Sequence, residues 1–292
     1  MRTVHAAEEL ERRPRAVALG TFDGVHRGHR RVLEAALAAG PCPTAVTFHP
    51  HPRTALGNHV ELLTTLARRL ELIAEHGVEE TLVVHFDLEL AALEPEEFAE
   101  RILRAIGAEV VAAGPDFRFG RARRGDLDLL RRLGFDARLV PGVEGVSSTL
   151  IRQLLREGRV EGAAQLLGRA PELDGTVVSG DQRGGTLGYP TANLAVVAEL
   201  LVPAYGIYAG QVGEHRAAIS IGTNPHYGGA ERRIESFLLD FSGDLYGQRL
   251  VVELWQRLRE ERVFASEAEL VEQIGRDVEG ARAAAPPVLE IR

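Results

Sequence analysis

The chain has 292 residues and a formal net charge of −8, and all 34 of its basic side chains are arginine, with no lysine anywhere. A lysine-free chain excludes a Walker P-loop, whose lysine reaches the β- and γ-phosphates, and any lysine Schiff base. The acid excess argues against broad nucleic-acid binding, which needs a basic face. The sequence predicts no membrane span and no signal peptide, and the single cysteine, Cys42, permits no internal disulfide, so a cytoplasmic protein is expected.

A chain of this length usually divides into two domains. Eight of the ten histidines fall before residue 171, and the texture of the sequence changes there. Up to about residue 170, strand-like and helix-like segments alternate. RAVALG (15–20) reads as a strand ending in glycine, and HRRVLEAALAAG (29–40) as a helix stopped by Gly40. TAVTF (44–48) is strand-like, and 64–77 helical, with Leu66, Leu70 and Ile73 at helical spacing and Gly77 at the end. TLVVHF (81–86), a helix over 95–107 with Pro95 in its first turn, and EVVAAG (109–114) follow. Such alternation predicts a parallel sheet with helices on its faces, and ligands beyond the C-terminal ends of its strands.

From about 172 the pattern becomes short strands separated by Gly, Pro and Asn: 174–178, 206–212, 217–222, 234–241 and 249–255. These predict an antiparallel barrel or sandwich. A helix over 266–282 closes the chain, with Ser266 and Glu269 at capping-box spacing. Residues 155–173 read as the connection between a domain over 1–170 and a domain over 171–292.

The first strand runs into GTFDGVHRGH (20–29). Gly20 ends the strand, Asp23 and Gly24 make a turn, and His26 and His29 fall at i, i+3 around a helix start. Two imidazoles beside unpaired helix N–H groups suit an anion the size of phosphate, without lysine. The competing reading is a plain helix cap. In SSTLIR (147–152) a serine can cap a helix while Thr149 and Arg152 lie within its first turn, so hydroxyls, N–H groups and a guanidinium converge. Phe117 and Phe119 in PDFRFG (115–120) alternate along an extended segment, facing either a ligand or the core. In GYPTAN (188–193), Pro190 stiffens the loop, and Thr191 and Asn193 alternate on one side, where their oxygens can share a hard cation such as Mg²⁺. In RRIESFLLDF (232–241), Glu235 shares a strand face with Phe237 and Leu239, so its carboxylate is expected to be partly buried. Trp255 and Phe264 read as ring-packing or core residues.

His26-Arg27-Gly28-His29 resembles the H-x-G-H signature of nucleotidylyltransferases, and the longer string resembles prokaryotic bifunctional riboflavin kinase/FMN adenylyltransferases, or FAD synthetases. TFHPHP (47–52), PDFRFG, 146–169, LGYPTANL (187–194), GIYAG (206–210), ISIGTNP (219–225) and RRIESFLLDF extend the resemblance over almost the whole chain. It implies a Rossmann-like α/β adenylyltransferase domain followed by an antiparallel β-barrel riboflavin kinase domain with a terminal helix. The expected path is riboflavin to FMN with ATP, then FMN to FAD with release of pyrophosphate. One retained activity, or a non-catalytic flavin-binding or regulatory protein, are the alternatives.

The resemblance further implies that His26 and His29 act on the ATP triphosphate. Gly20, Thr21, Phe22, Asp23, Gly24, Ser148, Thr149 and Arg152 complete that nucleotide site, and Phe117 and Phe119 meet the flavin. Gly188, Pro190, Thr191 and Asn193 form the kinase nucleotide site, Thr191 and Asn193 hold Mg²⁺, and Glu235 touches riboflavin as the base. The expected partners are riboflavin, FMN and ATP alone, without nucleic acid or membrane, for a monomer or weak homo-oligomer. Gly185, Gly145 and Thr21 depart from the family pattern: the first two stand where relatives carry a basic residue, and Thr21 replaces an asparagine.

Overall fold

In the computed structural model, residues 1–180, 188–223 and 232–289 are described, and they form two compact units: Met1–Leu62 with Leu66–Ser147, and Leu63–Thr65 with Ser148–Arg292.

The first unit is built on six strands, β1 (Arg2–Val4), β2 (Arg15–Leu19), β3 (Pro43–His49), β4 (Glu80–His85), β5 (Ala108–Ala113) and β6 (Asp136–Leu139). They lie in the order β1-β4-β3-β2-β5-β6, and every pairing is parallel. The helices α1 (Arg27–Leu37), α2 (Pro52–Ala55), α3 (Leu66–Glu75), α4 (Leu88–Ala92), α5 (Pro95–Phe98) and α6 (Leu127–Arg132) connect the strands. The central strands are buried almost throughout because both faces of the sheet are covered. One face packs Val17, Leu19, Val46 and Val111 with Phe98 and Leu103, and the other packs Ala18, Ala45 and Ala112 with Leu33, Leu72 and Ile73. From β2 the chain moves to β3 and β4 on one side, and then returns to place β5 on the other. The topological switch point is therefore the crevice beyond the C-terminal ends of β2 and β5.

The expected helix over 95–107 is divided: α5 passes into a π-helical turn at Ala99–Arg104. β1 and β6 are additional edge strands, too short to show a period of their own.

The second unit opens with α7 (Ser148–Arg156) and α8 (Val160–Leu167), followed by β7 (Glu172–Val178), β8 (Ala192–Val196), β9 (Gly206–Val212), β10 (His215–Thr223), β11 (Arg232–Leu238) and β12 (Arg249–Arg259). These six strands close an antiparallel barrel in the order β10-β11-β8-β7-β12-β9. Leu173, Leu194, Ile219, Ile221, Ile234, Val252 and Leu254 are buried in its core. The last helix, α9 (Glu267–Ala283), packs Val278 and Ala281 against Ala209, Leu239 and Trp255, so Trp255 is a core residue. The Ser266 hydroxyl caps α9 by accepting from the Glu269 N–H at 3.2 Å, while the Glu269 carboxylate takes the N–H of Ala265 rather than that of Ser266.

The compact units divide between Ser147 and Ser148. The physical reason is packing: α7 and α8 bury Ile151, Leu154, Leu155, Val160 and Leu167 in the same cluster as the barrel core. What reads as a connection in sequence is thus folded into the second unit.

Candidate functional site

In the first unit the site begins where β2 ends. The Gly20 N–H donates to Val46 O at 3.1 Å, the Thr47 hydroxyl to Thr21 O at 3.0 Å, and the Val25 N–H to Phe22 O at 3.0 Å. Phe22, Gly24 and Val25 take φ values of 51°, 85° and 37°. Glycine tolerates this region, but each of the other two costs on the order of 1–3 kcal/mol. Phe22 and Val25 are nearly inaccessible and join the core face that carries Leu33, Leu72 and Ile73, and that burial offsets the strain.

His26 is the N-cap of α1, and its Nδ1 accepts from the His29 N–H at 3.2 Å. A ring nitrogen that accepts carries no proton, so in neutral His26 the proton sits on Nε2, which becomes a donor. The imidazoles of His26 and His29 stack with centroids 3.6 Å apart and planes 13° apart, and Phe22 meets His29 edge-on at 5.5 Å. A Cβ on Gly28 would lie 3.1 Å from His26 Cε1, so this glycine keeps room for the stacked pair. The cap that His26 forms and the imidazole pair that the sequence suggests for an anion are therefore one arrangement.

Beyond β5, Phe119 is buried against Phe98 at 5.3 Å between centroids, and Gly125 passes so close to its ring that a Cβ there would come to 2.8 Å. The core claims Phe119. Phe117 is half-buried and stacks on it at 5.6 Å. Ser148, Thr149 and Arg152 lie on α7 in the second unit, with Arg152 buried.

Spacing in α3 selects Leu66, Leu70 and Ile73 as the inner face, yet the buried residues are Arg69, Leu72 and Ile73. Arg69 is 1% exposed, and its Nη1 donates to Phe48 O at 3.2 Å. Burial pushes its guanidinium down from the ordinary arginine range, and the Asp23 carboxylate opposes that shift. An arginine in a helical pattern reads as a solvated face, so the sequence carries no signal for this position.

In the second unit β11 pairs with β8 through Glu235 opposite Asn193 and Ser236 opposite Ala192. Directly opposed residues share a face with Cβ atoms about 4.5–5.5 Å apart. Asn193 also faces Val178 of β7, and Glu235 faces Ser220 of β10. The row Val178, Asn193, Glu235, Ser220 therefore crosses four strands on one face. Ile234, Ser236 and Leu238 point into the core, while Glu235 and Phe237 are half-buried, as strand alternation predicts. Tyr189 meets Phe237 edge-on at 5.4 Å.

Thr191 lies just before β8 and two residues from Asn193, and a hydroxyl with a carboxamide oxygen is a donor set of the kind that Mg²⁺ takes. Gly180 was not singled out in the sequence, yet a Cβ there would fall 2.2 Å from Asn193 Nδ2, so the carboxamide occupies the space where a side chain would stand. Gly188 has φ 86° and open space around it, and Pro190 is exposed. Gly145 likewise has φ 71° and open space. Gly185 lies outside the described residues.

Residues 8–150 match the FAD synthetase family model, and residues 167–285 the riboflavin kinase model. Curated bifunctional riboflavin kinase/FMN adenylyltransferases align along nearly the full length. The Escherichia coli K12 protein is 35% identical with 95% of each chain covered, that of Listeria monocytogenes 36% with 92% of each, and that of Bacillus subtilis 34% with 95% and 96%. The chain belongs to the bifunctional riboflavin kinase/FMN adenylyltransferase family. A crystal structure titled as a macrolide-efflux protein from Streptococcus pneumoniae superposes with a TM-score of 0.86 at 32% identity, covering 97% of this chain and 99% of that one. Among the described residues no helix is long and apolar enough to cross a membrane.

One family model spans the stretch carrying His26 and His29, and the other spans the row carrying Asn193 and Glu235.

Proposed function

We infer that the chain makes FAD from riboflavin in two steps, each with its own ATP. Riboflavin kinase activity is assigned to a domain over 171–292 and FMN adenylyltransferase activity to a domain over 1–170. The observation that carries this reading is the register that sets Glu235 opposite Asn193 in the barrel, in a chain whose other unit stacks His26 on His29 at a helix start.

In the kinase step the Glu235 carboxylate accepts the proton of the terminal ribityl hydroxyl as its oxygen bonds to the γ-phosphorus of ATP. The bond to the bridging oxygen breaks, ADP leaves, and FMN forms. Phosphoryl transfer depends mostly on such positioning and charge neutralisation. Thr191 and Asn193 would hold Mg²⁺, which supplies positive charge to the phosphates. Gly188 leaves the loop backbone open to the nucleotide, and Pro190 fixes its path.

In the adenylyl step a phosphate oxygen of FMN bonds to the α-phosphorus of ATP, and pyrophosphate leaves. The His26 Nε2–H donates to the triphosphate as charge moves onto the leaving group, with His29 stacked beside it and the first N–H groups of α1 at hand. Gly20, Thr21, Phe22, Asp23 and Gly24 shape the turn that fixes this donor. Phe117 offers the flavin a ring, and the buried Phe119 supports it. For Ser148, Thr149 and Arg152 the assignment rests on their motif.

We place this enzyme in the cytoplasm, where ATP and a free thiol such as Cys42 coexist, acting on riboflavin, FMN and ATP as a monomer or weak homo-oligomer. The test incubates the chain with riboflavin, ATP and Mg²⁺ and separates the flavins by chromatography over time. FMN is expected first, and FAD after it. If neither appears the reading fails, and FMN without FAD would refute the role of the first unit.

A further inference from the structure

Tyr189 stands inside the motif that carries Thr191 and Asn193, but its ring packs against distant parts of the same unit. It meets Phe237 of β11 edge-on, with centroids 5.4 Å apart and planes at 78°, an arrangement that aromatic pairs favour. Its hydroxyl stands at Gly275 of α9, where a Cβ would come to 3.5 Å from the oxygen. A methyl there would only touch the hydroxyl, whereas a longer side chain in that direction would take its place. Tyr189, Phe237 and Ile274 of α9 all pack on the cluster that holds Ala209, Leu239, Trp255 and Val278. The half-buried ring is thus held between a strand and a helix.

The helix that seats it is fixed by other contacts. Asp277 of α9 is buried and accepts from Arg259 of β12, from Nε at 2.9 Å and from Nη2 at 2.6 Å. Gln273 Nε2 donates to the same carboxylate at 2.9 Å. From Tyr189 the chain has little freedom before Thr191. Pro190 fixes its own φ and restricts the residue before it to extended conformations. At the other end Ala192 opens β8, opposite Ser236. Thr191 is therefore bracketed by an anchored ring two residues before it and a paired strand directly after it.

We propose that Tyr189 is a positioning residue for the kinase site: seated between Gly275 of α9 and Phe237 of β11, it sets where Thr191 stands toward Mg²⁺. The proposal rests on the riboflavin kinase reading above and extends that site's support to the terminal helix.

The test uses the full chain as wild type, Tyr189→Ala, Tyr189→Phe, Gly275→Ala, Gly275→Leu and the Tyr189→Ala/Gly275→Leu double variant. FMN formation is measured against Mg²⁺ at fixed riboflavin and ATP, and amide hydrogen exchange over 189–193 is measured in protein stripped of metal. Removing a group that orients a metal ligand typically costs about ten- to a hundredfold in metal affinity. Tyr189→Ala is therefore expected to raise the half-saturating Mg²⁺ concentration about tenfold, with KM for riboflavin within about threefold and FAD formation from supplied FMN unchanged. Exchange over 189–193 is expected to quicken about tenfold. Tyr189→Phe and Gly275→Ala keep the packing and should match wild type within about twofold in both measurements. Gly275→Leu should behave as Tyr189→Ala does. The double variant should be no worse than the more impaired single variant by more than about threefold, because both changes break one contact.

A half-saturating Mg²⁺ concentration for Tyr189→Ala within about threefold of wild type overturns the proposal, even where exchange quickens, because Tyr189 would then serve packing alone. Unchanged exchange in Tyr189→Ala overturns it as well, since the segment around Thr191 would not depend on the ring. So does multiplication of the two single effects in the double variant, or a loss in Tyr189→Phe equal to that in Tyr189→Ala. If Gly275→Leu does not fold, Tyr189→Ala and Tyr189→Phe decide by the same criteria. A wild-type chain that makes no FMN would instead overturn the kinase reading and this proposal together. Active wild type with an undiminished Tyr189→Ala overturns the proposal alone.

Discussion

In the first unit the histidine pair and the turn before it come from one continuous stretch, Gly20 to His29, whereas in the second the candidate site joins Thr191 and Asn193 on one side of a strand pairing with Glu235 on the other. The first is a local device: a strand end, a strained turn and a helix N-terminus follow one another, and their order places the histidines. The second exists only once β8 and β11 have found their register, since a slip of one residue would turn Glu235 to the opposite face. A site of the first kind is exposed to changes in nearby backbone. One of the second kind is exposed to anything that shifts a strand.

Several substitutions sharpen this contrast. The largest effect is expected from Glu235→Gln, which removes the proposed base but keeps the side chain's shape. FMN formation should fall by about a thousandfold while FAD formation from supplied FMN continues. His29→Ala should do the converse, lowering FAD formation by about a hundredfold and sparing FMN formation, as read by chromatography of the flavins. Gly180→Ala tests the seat of Asn193. The added methyl displaces the carboxamide, so the Mg²⁺ concentration for half-maximal FMN formation should rise about tenfold, with the adenylyl step untouched.

A further effect concerns stability and lies away from both clusters. Glu80 on β4 is buried; it accepts from Arg15 Nε at 2.8 Å and from the half-exposed Arg13 at 3.1 Å, and Cys42 Sγ approaches it to 3.2 Å. Burial pushes its carboxyl up, but the hydrogen bonds from Arg15 and Cys42 and the charges of Arg15 and Arg13 outweigh this, so it sits below the usual carboxylate range. A lowered folded-state pKa means stability that is present above the ordinary carboxylate range and lost as pH falls through the folded value. Glu80→Gln should therefore cost about 3 kcal/mol at pH 7, and the gap to wild type in thermal unfolding should close in acid. A gap independent of pH would show that the charge of Glu80 is not what matters.

Much of the architecture is legible in the sequence because burial leaves periodic traces. The apolar runs that become β2, β3 and β4, each followed by a glycine-stopped or proline-started helix, and the run that becomes β5 point to a parallel sheet without any template. The short alternating segments after residue 172 point to an antiparallel barrel or sandwich, and the closed strand order decides for the barrel. β8 shows less, since its strand is half-buried and begins in the motif that also carries Thr191. α7 and α8 look like a connection in the sequence, and only their packing with the barrel core shows that they join the second compact unit.

The sites divide along the same line. His26 and His29 are visible as a local pattern, and the structure adds the hydrogen bond by which His26 caps α1. Glu235 is visible as a carboxylate on an apolar strand face, but its place opposite Asn193 is a long-range fact. Arg69 and Gly180 are silent in the sequence for opposite reasons. A buried arginine breaks the rule that charge faces water, and a glycine that yields its space to another side chain carries no chemistry of its own.

The most direct measurement mixes the two chains Glu235→Gln and His29→Ala with riboflavin, ATP and Mg²⁺ and follows FAD. Alone, the first should make neither FMN nor FAD, and the second should stop at FMN. Together they should make FAD, because each chain retains the site the other lacks. A mixture that stops at FMN, or yields no flavin product, would contradict the account of two independent active sites in one chain.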